Sequence, residues 1–549
     1  MNKLKPKLFS VMKTYNKNQF FKDIIAGIIV AIIALPLSIA LAIASGVSPE
    51  QGLYTAIFAG FFISFLGGSR VQIGGPTAAF VVIIYGIVTE FGMAGLTVAT
   101  LMAGIMLILM GFLKFGSLIK YIPYTITAGF TAGVAIGIFA GQIKDFLGLE
   151  MGSVPAEFIE KVAEYAKVIT TVDLHTVIVG VISLVILIIM PKISKVVPGS
   201  LVAIIVATLL VKFTPLETAT IGSVYGELSS SIPAPSIPDI NFDMVKQLLP
   251  SAFTIAILAA IESLLSCVVA DGMINSRHRS NMELIGQGVG NIASGLFGGI
   301  PATGAIARTA ANVKNGGRTP IAGMVHALML LLILKLFMPL AALIPMTTLA
   351  AILIVVAYNM GEWKEFFSLM KHAPKSDVSI MLVTFFLTVI FDLVVAIEFG
   401  LVLAAILFIK RMSDVSSIRG WTYSDEDDSE ENDPMHIALK QVPEGTLVYE
   451  IDGPMFFGVA DNFLNISIKD DTKVLVLRMR SVPAMDITAL QSLEKVYDKC
   501  KKNDVTVILS HVLEQPRRVM DKAGFSEKIG EDNFCENIDV ALARAATLI

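Results

Sequence analysis

Charged residues, cysteines and nucleotide-binding loops are scarce or missing in this sequence of 549 residues. Only 16% of the residues are Asp, Glu, Lys or Arg and 54% are hydrophobic, which excludes an ordinary soluble protein. The three cysteines, Cys267, Cys500 and Cys535, have neither C-x-x-C nor metal-ligand spacing, so we expect neither a metal site nor a structural disulfide. No G-x-x-x-x-G-K-[ST] loop is present to bind ATP. The sequence therefore predicts a polytopic membrane protein.

Lysines are concentrated before the first long apolar run, which begins near Ile24. Because basic flanks of membrane segments stay inside the cell, residues 1–23 are predicted to be a cytoplasmic segment. The apolar run is long enough to span a bilayer, so we expect no cleavable signal peptide. The lysines are Lys3, Lys5, Lys7, Lys13, Lys17 and Lys22.

The sequence predicts fourteen apolar segments, seven in each half of a membrane region at 24–411. The first repeat, about 24–213, has segments at 24–44, 51–66, just after Pro76, 97–113, 122–146, 175–191 and 199–213. The second repeat, about 251–411, has segments at 251–270, 283–298, just after Pro301, 320–345, 348–360, 377–392 and 394–410. Seven is an odd number, so the repeats have opposite orientations in the membrane. The predicted fold class is an all-α polytopic membrane protein of 7+7 inverted repeats.

Basic residues between the segments agree with this topology if the segments alternate from a cytoplasmic N-terminus. Acidic side chains such as Glu90 and Glu150 fall on the opposite side. Both termini are therefore expected in the cytoplasm. The residues on the predicted cytoplasmic side are Lys114, Lys120, Lys192, Lys195, Arg277, Arg279, Lys314, Arg318, Lys364, Lys371, Lys375, Lys410 and Arg411.

Two segments, at 73–80 and 298–305, are interrupted by glycine and proline, which end one helix and start another. A helix that begins at mid-depth points unpaired N–H groups and a positive dipole end into the protein, where an anion can use both. Such breaks at corresponding positions of two halves are typical of a transporter's substrate site. We therefore predict an anion transporter. The alternative is that the small residues only mark close helix crossings.

Two charged residues lie near these breaks. Glu262 interrupts the apolar run 255–270, where an unpaired carboxylate is costly, so we predict that it couples transport to a proton or other cation. The alternative is a structural ion pair or a hydrogen bond between helices. Arg308 follows Gly304 by one turn and would add positive charge at the site, unless it is a structural partner of a carboxylate or carbonyl. His326, alone in an apolar helix, is interpreted as a satisfied packing residue.

The composition changes abruptly after Arg411. An acidic run at 425–433 indicates a solvated linker over 412–435. Beyond it, strand-like and helix-like runs alternate, which predicts a small α/β domain with a partly parallel sheet over 436–549. The strands are predicted at 447–451, 473–479 and 505–510, and the helices at 457–468, 488–501, 515–523 and 537–548.

A series of short motifs occurs in order along the chain. They are Ser48-Pro49-Glu50-Gln51-Gly52-Leu53-Tyr54, Gly68-Ser69, Gly74-Gly75-Pro76, Ile261-Glu262-Ser263, Asn281, Glu283-Leu284-Ile285-Gly286-Gln287-Gly288, Pro301-Ala302-Thr303-Gly304, Arg308-Thr309 and Gly317-Arg318-Thr319-Pro320. Together they are specific, and nearly the whole chain resembles bacterial members of the SulP sulfate-permease family. The resemblance implies a uracil-permease-like core and gate that move against each other, a homodimer and a C-terminal STAS domain.

In that family the substrate lies between two half-helices, the helices that begin just after the two broken segments. By position, the resemblance assigns substrate contacts to Thr77, Ala78, Gly304, Ala305 and Ile306. In the first segment this chain has Leu37, Ser38 and Leu41, where some members place a glutamine and a tyrosine near the substrate. This less polar lining resembles relatives that move bicarbonate or C4-dicarboxylates.

The resemblance also bears on the coupling ion. Some sodium-coupled relatives have an acid at the Glu262 position, a hydroxyl residue one turn later and a threonine in the second half-helix. This chain keeps Glu262 and Ser266 but has Ile306 in place of the threonine. A buried carboxyl can itself carry a proton, so a proton is favoured over sodium.

Thr488 matches by position the phosphoacceptor of related anti-sigma-factor antagonists. The usual second hydroxyl residue and glycine are replaced by Ile487 and Ala489. Asp486 is a plausible N-cap, so a plain capped helix is favoured over a regulatory phosphorylation site.

These observations predict a secondary active transporter of a small inorganic or carboxylate anion, coupled to a proton and working by alternating access, rather than an enzyme. The alternatives are a sodium-coupled bicarbonate or C4-dicarboxylate transporter, an anion channel, a nucleobase permease and a membrane-tethered STAS signalling protein. We expect a homodimer in the bacterial cytoplasmic membrane, with no cofactor and no nucleic-acid partner. The STAS domain is a candidate site for a cytoplasmic partner.

Overall fold

The computed structural model describes residues 4–549 except 118–122, 153, 156, 195–196, 392, 416, 422–439 and 457–470. Its chain divides into two units, Met1–Val402 and Leu403–Ile549. The acidic run at 425–433 and the helix predicted at 457–468 lie outside the described residues.

Helices of the first repeat follow the predicted apolar runs closely. They are Lys17–Ala44 (α1), Pro49–Leu66 (α2), Val81–Phe112 (α3), Tyr124–Gly141 (α4), Ile143–Leu147 (α5), Phe158–Val168 (α6), Leu174–Ile193 (α7) and Gly199–Phe213 (α8). The start of α2 is fixed by a capping box of Ser48 and Gln51, with Pro49 as its first residue. Gly92, at φ 65°, interrupts α3 and separates the third predicted segment from the fourth.

The second repeat has the same order of elements. Its helices are Phe242–Ile274 (α9), Ser280–Leu296 (α10), Ile306–Lys314 (α11), Pro320–Ala341 (α12), Met346–Met360 (α13), Trp363–His372 (α14), Lys375–Ile390 (α15) and Leu393–Val415 (α16). With α3 counted as two segments and α4 with α5 as one, the predicted 7+7 fold is confirmed. The helices α6 and α14, each about three turns long, are additions that the apolar runs did not predict.

Glycines allow α3 and α10 to pack backbone against backbone. A Cβ atom built on Gly288 would lie 2.5 Å from the carbonyl oxygen of Gly104 and 2.9 Å from the backbone nitrogen of Ile108. Small residues at membrane helix crossings permit this close approach, and dispersion contacts then stabilise the pair. The motif that contains Gly288 therefore has a packing role.

The membrane unit contains two short strands, Gly74–Gly75 (β1) and Thr303–Gly304 (β2). The second unit contains a five-stranded sheet whose neighbouring strands follow one another along the chain. Its elements are Ser417–Trp421 (β3), Thr446–Asp452 (β4), Val474–Ser481 (β5), Ile487–Lys502 (α17), Thr506–Ser510 (β6), Glu514–Lys522 (α18), Phe525–Ile529 (α19), Phe534–Cys535 (β7) and Ile538–Leu548 (α20). All neighbouring pairs are parallel except the antiparallel pair β3 and β4. The partly parallel α/β domain is confirmed, whereas β3 and the two-residue β7 were not predicted.

We predict that Gly288→Ala destabilises the membrane unit, because the new methyl group meets backbone atoms that cannot move aside. Overpacking of this kind costs about 1–3 kcal/mol. The matched control is Gly272→Ala in α9, where no heavy atom lies within 4 Å of the added Cβ. Thermal unfolding of detergent-purified protein should show a lower Tm for Gly288→Ala than for the control, and equal Tm values would contradict this account of the crossing.

Candidate functional site

The two broken segments meet as a short antiparallel β pairing inside the membrane unit. Gly74–Gly75 (β1) pairs with Thr303–Gly304 (β2), with Gly74 opposite Gly304 and Gly75 opposite Thr303. The backbone N–H of Ala305 extends the pairing by donating to the carbonyl oxygen of Ile73 at 2.9 Å. Extended backbone at membrane depth must satisfy its polar groups within the protein, and each break does so with the other.

Glycine is required on both strands of this pairing. A Cβ atom on Gly304 would lie 1.6 Å from Nε2 of Gln72, and one on Gly75 would lie 2.5 Å from Nη1 of Arg308. Gly75 also has φ +156°, at the edge of the left-handed region that side chains disfavour. The glycines therefore let polar side chains approach the crossing strands directly.

Each strand leads into the start of a helix. Thr77 precedes the 3₁₀ turn Ala78–Phe80, which leads into α3, and Ala305 precedes α11. Neither start has a side-chain cap, and the first N–H groups of any helix have no intrahelical partner. The structure thus brings together the predicted substrate residues Thr77, Ala78, Gly304, Ala305 and Ile306. Ile306 is 44% exposed, whereas Ala305 before it is buried.

Glu262 on α9 reaches the first half-helix. The hydroxyl of Thr77 donates to Oε2 of Glu262 at 2.9 Å. Ser266, one turn further along α9, instead donates to Oε1 of Gln72 at 2.9 Å and lies 3.4 Å from the hydroxyl of Thr309. The two residues predicted to hold the coupling cation therefore have separate partners in the structure.

Arg308 lies where the two broken segments pair, which we call the crossing, and it is 4% exposed. Its Nη2 atom donates to the carbonyl oxygen of Pro76, whereas Nη1 is buried without a hydrogen-bond partner among the described residues. Glu262 is close enough for a Coulombic interaction with Arg308, but no hydrogen bond or ion pair joins these two described side chains. The guanidinium thus places a partly uncompensated positive charge beside both helix starts.

Polar side chains around the crossing were not predicted as site residues. Gln72 donates from Nε2 to the carbonyl oxygen of Ser263 at 3.1 Å, and Thr309 accepts from the N–H of Ile73 at 3.0 Å. Asn291 exchanges two hydrogen bonds of 2.8 Å with the backbone of Ala302. These side chains hold the extended segments in register. A polar residue in an apolar region beside a glycine break is the signal that could have identified them.

One further sequence interpretation is corrected by the packing. Ser38, which stands among the residues that replace the family's polar side chains in the first segment, is fully buried where α1 crosses α2, and its carbonyl oxygen would lie 2.0 Å from a Cβ on Gly52. His326 is also fully buried, but neither ring nitrogen has a hydrogen-bond partner among the described residues, so the expectation of a satisfied histidine is wrong. Its Cε1 atom lies 3.9 Å from a Cβ built on Gly60.

The second unit places Thr488 at the exposed start of α17. Asp486 is the N-cap of this helix and accepts a 2.8 Å hydrogen bond from the N–H of Ala489, as predicted. The structure leaves the Thr488 side chain accessible at a helix N-terminus. Among the described residues, no group of three or more His, Cys, Asp or Glu side chains could hold a metal ion.

Comparisons with known proteins match both units. The Sulfate permease family matches residues 20–384 and the STAS domain matches residues 438–541. "Putative sulfate transporter YvdB" of Bacillus subtilis (strain 168) is 42% identical over 96% of this chain and 98% of its own length. "Bicarbonate transporter BicA" of Picosynechococcus sp. is 32% identical over 95% of this chain and 94% of its own.

Solved structures agree with the fold. The transmembrane domain of a cyanobacterial bicarbonate transporter BicA matches with a TM-score of 0.61 and 30% identity, over 70% of this chain and 98% of that chain. The murine Slc26a9 anion transporter, in an inward-facing state, matches with a TM-score of 0.88 over 99% of this chain and 94% of that chain. At 18% identity, the second comparison shows the fold alone.

We predict that Gly304→Ala reduces transport at least about 10-fold, because the new methyl group overlaps Nε2 of Gln72 and forces the paired strands out of position. Gln72→Ala in the same chain makes room for the methyl group, so the double variant should transport better than Gly304→Ala alone. Initial uptake rates in proteoliposomes measure both. Gly86→Ala, which meets no atom within 4 Å, is the control, and additive losses in the double variant would argue against this contact.

Proposed function

Because the chain belongs to the sulfate permease family, whose members are transporters and not enzymes, we propose that it is a secondary active transporter of a small anion. It works as a proton-coupled symporter by alternating access. Its first unit moves the anion across the membrane, and the STAS domain in the second unit regulates transport or binds a cytoplasmic partner.

The observation that carries the proposal is the convergence of two uncapped helix starts with one buried guanidinium. The helix starts at Ala78 and Ile306 each follow a strand of the crossing within a few residues, and Arg308 donates to the carbonyl oxygen of Pro76 while its Nη1 has no partner among the described residues. Helix N-termini and arginine both favour negative charge. No carboxylate is hydrogen-bonded or ion-paired to this guanidinium among the described residues, so an anion supplies the missing partner.

Glu262 is the proposed proton carrier. A carboxylate on a membrane helix is costly, and a proton removes that cost. Sodium needs several oxygen ligands at one point, by analogy with other hard cations. In the structure the hydroxyl of Ser266 is hydrogen-bonded to Gln72, and Ile306 offers no side-chain oxygen. These features support a proton over sodium.

The substrate is proposed to be small and negative, with sulfate and bicarbonate as the first candidates. Relatives named as transporters of each cover nearly the whole chain. The apolar side chains of Ile306 and Leu37 favour bicarbonate or a C4-dicarboxylate, because they offer no hydrogen bonds to replace the strong hydration of sulfate. A sodium-coupled bicarbonate transporter is the second candidate function, because Glu262 and Ser266, one turn apart on α9, both carry side-chain oxygens.

The proposed assembly is a homodimer in the bacterial cytoplasmic membrane, with both termini in the cytoplasm. Lysine-rich flanks before α1 support this orientation. The exposed Thr488 at the N-terminus of α17 supports the second unit as a regulatory surface, since phosphate there would interact well with the helix dipole.

We predict that an inward proton gradient drives accumulation of the anion in proteoliposomes, and that Glu262→Gln abolishes it. The amide keeps the shape of the side chain and its contact with Thr77 but cannot release a proton. Exchange of labelled for unlabelled anion should persist in this variant, because the helix starts and Arg308 remain.

Glu90→Gln is the matched control, since Glu90 is exposed at the far end of the first half-helix, whose start Glu262 contacts through Thr77. Accumulation by Glu262→Gln at the wild-type level would move the coupling role to another residue. Uptake that follows a sodium gradient and ignores the proton gradient would exclude proton coupling and favour the second candidate.

A competition panel will identify the substrate. Unlabelled bicarbonate, sulfate, succinate, fumarate, chloride and uracil are added to one uptake assay at equal concentration. We expect an anion to compete and uracil to have no effect, because a neutral base gains little from Arg308 and two positive helix ends. Competition by uracil alone would overturn anion transport.

A further inference from the structure

A cavity of about 220 Å³ lies in the membrane unit beside the first half-helix. Its lining includes Val81, Val82 and Tyr85 from α3, Gly137 and Gly141 from α4, and Lys161 from α6. No atom lies within 4 Å of a Cβ built on Gly141, so the wall is open there. The volume is below the roughly 300–1,000 Å³ of pockets for drug-sized molecules and suits a small ion with some water.

This cavity is distinct from the crossing of the broken segments. Neither Thr77, Glu262, Gly304 nor Arg308 lines it. Tyr85 lies seven residues after Ala78, which is about 10 Å along a helix. The half-helix therefore has the substrate site at its start and this cavity along its next two turns, so an ion moving along the half-helix meets both.

The cavity has positive charge without a partner. Lys161 is half-buried, and its ammonium group makes no hydrogen bond or ion pair among the described residues. Burial lowers the pKa of its ammonium group, so the charge is held at a cost that a bound anion would offset. By contrast, Lys167 on the same helix is 70% exposed and pairs with Glu164 at 2.8 Å.

Two other charged side chains line the cavity. Lys144 donates from Nζ to the carbonyl oxygen of Gly152 at 2.7 Å, and Asp145 lies next to it in α5. With Lys161, the lining has two ammonium groups and one carboxylate, and is positive overall. The hydroxyl of Tyr85 donates to the carbonyl oxygen of Val154, which ties the loop before α6 to the half-helix.

We propose that this cavity is an access site that binds the transported anion before it reaches the crossing, with Lys161 as the binding residue. The proposal rests on anion transport as the function. The predicted topology places the cavity on the outer side of the membrane, so Lys161 raises the local anion concentration on that side. The access site changes the affinity with which the anion is first bound and does not change proton coupling at Glu262.

The test compares Lys161→Gln with Lys167→Gln in right-side-out and everted membrane vesicles. Radiolabelled bicarbonate or sulfate is the probe, whichever the wild-type protein takes up. We expect Lys161→Gln to raise KM about 10-fold in right-side-out vesicles, where the cavity faces the medium, with kcat unchanged. The reason is the loss of a charged hydrogen bond to the anion. KM in the other orientation, and both constants of Lys167→Gln, should stay at wild-type values, and Lys161→Arg should restore most of the affinity.

An unchanged KM for Lys161→Gln would overturn the access site. Equal shifts for Lys161→Gln and Lys167→Gln would also overturn it, because they would show a general surface potential. A loss of kcat in both vesicle orientations would reveal a structural role instead. Lys161→Met, which keeps most of the side-chain volume, repeats the test if the glutamine variant accumulates poorly. Wild-type protein that takes up neither anion would count against the proposed function itself.

Discussion

The structure of the membrane unit depends on one constraint, which is that extended backbone inside a bilayer must find hydrogen-bond partners within the protein. Each broken segment exposes peptide groups that a continuous helix would have satisfied. The pairing of Gly74–Gly75 with Thr303–Gly304 satisfies part of this demand, and Asn291 and Thr309 satisfy more of it. The two breaks can exist in the membrane because each is the other's partner.

Because of this mutual dependence, the two repeats meet in one pairing, which is the proposed substrate site. The register of β1 against β2 sets where both half-helices begin, so the two positive helix ends cannot be positioned independently. Arg308 belongs to the second repeat but donates to Pro76 in the first, and Glu262 in the second accepts from Thr77 in the first. Every charged group at the crossing is therefore held by the opposite repeat, and a shift of one repeat changes the environment of both charges.

The sequence alone predicts the number and order of the membrane segments, because long apolar runs and Gly/Pro breaks are direct consequences of bilayer thickness and helix chemistry. It does not predict which atoms meet. Gln72 lies in a loop without periodicity, and only the structure places it against Gly304 and Ser266. His326 shows the converse limit, since its apolar surroundings suggested a satisfied packing residue whereas neither of its ring nitrogens has a hydrogen-bond partner among the described residues.

The separation of Glu262 from Arg308 bears on the proposed coupling between proton and anion transport. A direct ion pair would neutralise both groups and leave little charge for an anion or a proton to act on. Here each group has a neutral partner instead, Thr77 for the carboxylate and the carbonyl of Pro76 for the guanidinium. Under the proposed mechanism, a proton on Glu262 removes negative charge from the site and leaves the field of Arg308 less opposed, so the affinity for an anion rises. Linkage then requires that a bound anion strengthens proton binding by the same factor, and this reciprocity is what makes the two ions move together.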